Sequence, residues 1–171
     1  GHTTYPVPEP FLVMATQNPI ESEGTYPLPE AQVDRFMLKV VIGYPEHDEE
    51  LTIVQRQLVA QPELRQALSL EDLQALQRAV FEVYVDPALV SYAVALATAT
   101  REPTQRLAAY IAYGASPRGP ISLVQAARAL ALVRGRDYVT IEDVRELVKD
   151  AFRHRIVLSY EALAERVDAD T

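Results

Sequence analysis

This 171-residue sequence contains no cysteine and no tryptophan, and only two lysines. Without cysteine there is no disulfide scaffold, no cysteine-ligated iron–sulfur site and no thiol nucleophile, a composition that fits a reducing, cytoplasmic setting. Lys39 and Lys149 both follow aliphatic residues rather than glycine, so the phosphate loop G-x-x-x-x-G-K-[ST] is not encoded. The six glycines (1, 24, 43, 114, 119 and 135) are too scattered for G-x-G-x-x-G. No apolar run reaches 18 residues and no basic-then-apolar leader opens the chain, so neither a membrane span nor a signal peptide is expected. The three histidines do not cluster, and no metal-ligand spacing is present.

The sequence does hold 49% hydrophobic and 23% charged residues, enough apolar material for a core without staples. The formal net charge of −8 argues against general nucleic-acid binding. That charge is unevenly spread. Residues 46–86 carry nine acids against three bases, whereas residues 87–171 hold eleven of the sixteen bases, ten of them arginine. Arginine suits forked recognition of carboxylate or phosphate. Gly1-His2 reads as the scar of a tag, and the sequence as a piece of a longer protein.

Seven of the twelve prolines fall in residues 1–45 and bracket two short apolar runs, 11–15 and 36–42. Both read as strands buried on two faces, which need a larger sheet to pair with. After Pro45 the texture turns helical. Leu51, Val54 and Leu58 share one face, as do Leu73, Leu76 and Val80 behind a Ser69/Asp72 capping box. Asp86-Pro87 opens a helix carrying Leu89, Ala93, Leu96 and Thr100 on one side. Ser116-Pro117 opens another with Leu123, Ala127, Leu130 and Val133, closed by Gly135. Thr140/Asp143 starts the last, with Ile141, Val144, Val148 and Phe152 inward. A short strand within 154–160, pairing with 82–85, is a further expectation. The fold class is therefore mainly α, a bundle of about five helices preceded by two strands, divided into residues 1–45 and 46–171.

Three places can carry chemistry. Asn18 follows the first strand, where ligands of parallel sheets sit, although Asn-Pro also starts ordinary turns and on the residues alone the turn weighs more. Arg35 precedes the second strand and can reach across an interface or pair with Asp34; on the residues alone the surface ion pair weighs more. Arg118, in Gly114-Ala115-Ser116-Pro117-Arg118, lies at a helix start that attracts anions, and solvent or a distant acid is an equal alternative. Arg134 and Arg136, around the helix-ending Gly135, suit a helix C-terminus without further function. The acids of 46–50 suit a solvated first turn.

Taken together, the stretch from Pro10 to Phe36 (PFLVMATQNPIESEGTYPLPEAQVDRF), the 114–118 motif and Gly135-Arg136-Asp137-Tyr138-Val139 resemble the MoxR family of AAA+ ATPases. The resemblance runs from Thr4 to about Glu161. It implies the back end of an AAA+ α/β core (1–45) followed by the helical lid (46–171). It implies Asn18 as sensor 1, Arg35 as the arginine finger presented to a neighbouring subunit, and Arg118 as sensor 2. It further implies ATP and Mg²⁺, a ring of AAA+ subunits, usually a hexamer, and chaperone-like action on partners carrying a von Willebrand factor A domain, in metal insertion or complex maturation. The sequence departs from the family in lacking the phosphate loop and the Asp-Glu strand; Val83-Tyr84-Val85-Asp86-Pro87 has no glutamate and starts a helix. The chain alone is thus expected not to hydrolyse ATP. The competing expectation is a non-enzymatic helical interaction module.

Overall fold

A computed structural model describes residues 4–17, 28–60 and 62–170. Local signals fix most of the helices. α1 (Glu30–Val33) is a single turn, and α2 (His47–Gln57) opens on a capping box between Glu46 and Glu49. Ser69 and Asp72 cap α3 (Leu70–Glu82) reciprocally, as the sequence predicts. Asp86 Oδ1 accepts from Ala88 N at 2.8 Å and Pro87 occupies the first position of α4 (Pro87–Arg101). The single turn α5 (Gln105–Ala108) leads into β1 (Ile111–Tyr113). α6 (Arg118–Val133) follows, then α7 (Ile141–Phe152) behind the Thr140/Asp143 capping box, β2 (Val157–Leu158), and α8 (Tyr160–Ala164). Gly135 takes φ +72°, the left-handed conformation that ends α6.

The core lies where α6 packs on α7, α4 and α3. Ala93, Ala97, Leu123, Ala127, Val144 and Phe152 are buried there, with Val83 and Val139 closing one end. Full burial of Leu123 and Val144 is worth about 1.5–3 kcal/mol each. The periodic faces of α4, α6 and α7 thus point inward as expected, except that Val133, at the last turn of α6, is exposed. Among the described residues no helix is long and apolar enough to cross a membrane.

Two expectations about strands are corrected. Residues 154–160 do contain a strand, but Val157–Leu158 pairs antiparallel with Ile111–Tyr113 rather than with 82–85. The latter segment instead makes a parallel bridge from Tyr84 to Tyr138, with Tyr84 N donating to Asp137 O and Val139 N to Tyr84 O. The described residues of the runs 11–15 and 36–42 form no ladder: Phe11 to Met14 are 58–81% exposed, and Val40 to Ile42 are equally open. A strand exists by virtue of a neighbour, and neither run finds one among the described residues.

Candidate functional site

The 114–118 motif is built tightly onto the end of α4. A Cβ on Gly114 would lie 2.4 Å from Thr100 O, so only glycine lets the two backbones pass. Ala115 is buried; its N–H donates to Thr100 Oγ1 at 2.9 Å and its carbonyl accepts from Arg101 Nε at 2.7 Å. Ser116 Oγ accepts from the Arg118 amide at 3.2 Å. Arg118 is then the first residue of α6, one position earlier than the Ser-Pro signal suggests, with Pro117 in the capping position. Gly119 lets α6 close on the Phe152 ring, where a Cβ would meet two ring carbons at 3.3 Å.

From this platform the motif meets a distant segment. Asp34 Oδ1 accepts from Ser116 Oγ at 2.8 Å, and Asp34 Oδ2 accepts from Arg118 Nη1 at 2.8 Å. Arg155 Nε stands 3.3 Å from the same Oδ1. Burial pushes the Asp34 carboxyl up, but the hydrogen bonds from Ser116 and Arg118 outweigh it, and the group lies below the usual carboxylate range. Arg155, with a side chain 1% exposed, donates to the carbonyls of Asp34, Phe36, Met37 and Ala151 and to Ser122 Oγ. His154 Nε2 lies 3.0 Å from Phe36 O, and burial holds its imidazole below the ordinary range. Lys39 N donates to Asp150 O, and Arg153 Nη1 to Lys39 O. The segment 34–39 is thereby clamped across the start of α6 and the end of α7.

Of the three candidate residues, Arg35 and Arg118 are brought to this junction, and Asn18 lies outside the described residues. Asp34 pairs with Arg118 and Arg155, not with its neighbour Arg35. Arg35 is exposed, and its side chain has no polar partner among the described residues. Arg118 keeps 54% of its side chain exposed and, among the described residues, uses only Nη1, which leaves Nε and Nη2 for another acceptor. That donor edge, at the positive end of a 16-residue helix, fits a phosphate oxygen. Among the described residues no group of histidines and acids could hold a metal ion. Sequence reasoning missed His154 and Arg155; the signal was three basic side chains in succession directly after the buried Phe152.

Arg134 and Arg136 serve a different carboxylate. Asp143 is fully buried and accepts from Arg136 Nη1 and Nη2 at 2.7 and 2.6 Å, from Arg134 Nη1 at 2.9 Å, and from Thr140 N and Oγ1. The Arg136 fork, ahead of every other influence, drives its carboxyl far below the usual range. The two arginines are thus structural, as their place at a helix end suggests.

Comparison with known proteins places this architecture. A family profile of the AAA lid domain matches residues 104–171, and one for the ATPase family associated with various cellular activities (AAA) matches residues 1–38. An AAA lid joined to part of an AAA core is the class these define. Chaperone MoxR1 of Mycobacterium tuberculosis is 51% identical across 99% of this chain and 46% of its own length. Uncharacterized protein YeaC of Bacillus subtilis is 43% identical across 99% of this chain and 52% of its own. The crystal structure of a protein described as an ATPase from Cytophaga hutchinsonii superposes with a TM-score of 0.92 at 42% identity, over 98% of this chain and 53% of that one. The chain belongs to the MoxR family of AAA+ ATPases, and it spans about half the length of the relatives it matches.

Proposed function

We propose that this chain is the lid and the back end of the core of a ring-forming, usually hexameric, MoxR-type ATPase, with a boundary near Pro45. Arg118 acts as sensor 2, Asn18 as sensor 1, and Arg35 as the finger for a neighbouring subunit. In the cytoplasm, the parent couples ATP binding and hydrolysis to maturation of, or metal insertion into, partner complexes, working with a protein that carries a von Willebrand factor A domain. Bound Mg²⁺ would offset phosphate charge. The phosphate loop and the Asp-Glu strand, which this chain does not carry, would come from the remainder of the parent, and the chain alone would be inactive.

One observation carries this reading: the half-exposed Arg118 guanidinium, one N–H on Asp34 and its other edge open, at the start of α6. Fixed donors aimed at developing phosphate charge are the main catalytic resource of phosphoryl transfer. In the full-length protein, Arg118→Ala is expected to lower ATP turnover about a hundredfold. Its circular dichroism and melting profile should stay those of the wild type. Turnover equal to wild type would remove Arg118 from the nucleotide site.

A further inference from the structure

We propose that Asp34 is a positioning residue, which fixes the Arg118 guanidinium and, through the same clamped segment, sets where Arg35 stands. The inference rests on the role proposed above for Arg118. The Arg118 side of the pair is open to solvent, which limits what the contact adds to stability, so Asp34–Arg118 needs another account than holding the fold. The carboxylate is constrained on both oxygens. Oδ1 is held by Ser116 and approached by Arg155, which leaves Oδ2 at a fixed point for one Arg118 N–H. The side chain of arginine has four rotatable bonds, and pinning one Nη orients the donor edge that remains.

The same residue is locked through its backbone. Arg155 Nη2 takes the carbonyls of Asp34 and Phe36 at 3.1 and 2.6 Å, on either side of Arg35. Arg35 is thus an exposed side chain between two anchored residues. A shift of the first turn of α6 moves Ser116 and Arg118, hence Asp34, hence Arg35. Two arginines face one carboxylate, so the junction keeps a positive balance suited to an anion.

The test is ATP hydrolysis by the full-length protein carrying Asp34→Asn, Arg118→Ala, Arg35→Ala and the two doubles that contain Asp34→Asn. Asp34→Asn is expected to lower kcat about tenfold or more with KM little changed, and Asp34→Glu to recover part of the loss. In each double Asp34→Asn should cost less than it does alone, because one of the two arginines it positions is already gone. Ser116→Ala, which frees the same carboxylate without altering charge, should give a smaller loss that also shrinks in the Arg118→Ala background. This keeps the test decisive if Asp34→Asn lowers the melting temperature. Wild-type turnover for Asp34→Asn, or losses that multiply in the doubles, would overturn the positioning role while leaving Arg118 in the site. Wild-type turnover for Arg118→Ala would overturn both readings.

Discussion

Asp34 and Asp143 are built from the same parts, a carboxylate, two arginines and a hydroxyl, and they do different work. Around Asp143 every partner lies within nine residues, the acid is fully buried, and the Arg136 fork takes both of its oxygens. Around Asp34 the partners lie 82 to 121 residues away, the acid is partly exposed, and one arginine retains an open donor edge. The first cluster is closed and locks the turn between α6 and α7. The second is open and joins the lid to a segment outside it. A carboxylate–arginine cluster is therefore read by what it leaves unsatisfied and by the chain distance it spans, not by its composition.

That contrast can be broken most forcefully at Asp143. Asp143→Ala removes a buried charge and the capping box of α7 together, and is expected to destabilise the chain by about 3 kcal/mol in urea unfolding. The pH dependence has a definite sign. A carboxyl whose folded pKa is depressed contributes fully above its unfolded value of about 3.9, and that contribution is lost as pH falls below it. The gap between urea midpoints at pH 7 and pH 3 should narrow in Asp143→Asn. Equal gaps would mean that the cluster does not hold its charge in the folded state.

A smaller effect belongs to the platform of the open cluster. Gly114→Ala forces a Cβ against the Thr100 carbonyl, and about 2 kcal/mol of destabilisation is expected. The same substitution should displace Ser116 and so slow ATP turnover in the full-length protein, an effect Asp143→Ala need not share at temperatures where both fold. Smallest of all, Thr140→Ala should cost about 1 kcal/mol, the usual worth of a helix cap. A much larger loss would show that the hydroxyl also holds the Arg136 fork in place.

The contrast also explains what the sequence could reveal. Ser69/Asp72, Asp86-Pro87, Thr140/Asp143 and Gly135 set helix boundaries within a few residues of themselves, and each was legible. Strand pairing was not, because partners are chosen across the fold. Val157–Leu158 took Ile111–Tyr113, and the runs 11–15 and 36–42 found no ladder among the described residues. The site divides in the same way. Arg118 could be placed at a helix start from Ser116-Pro117 alone. Its pairing with Asp34, 84 residues earlier, and the clamp by Arg155 depend on how α6 and α7 come together.

The clamp on residues 34–39 also has a meaning for how the chain assembles. Its contacts bridge more than a hundred residues, from Phe36 to Arg155 and from Lys39 to Arg153. The entropic cost of closing such a loop grows only with the logarithm of its length. The receiving surface, however, combines the start of α6 with the last turn of α7 and the side chains just after it, so it does not exist until those two helices have formed and packed. The segment that carries Arg35 is therefore expected to seat only on a formed junction of α6 and α7, and its amide protection should report on that seating separately from the core of the bundle.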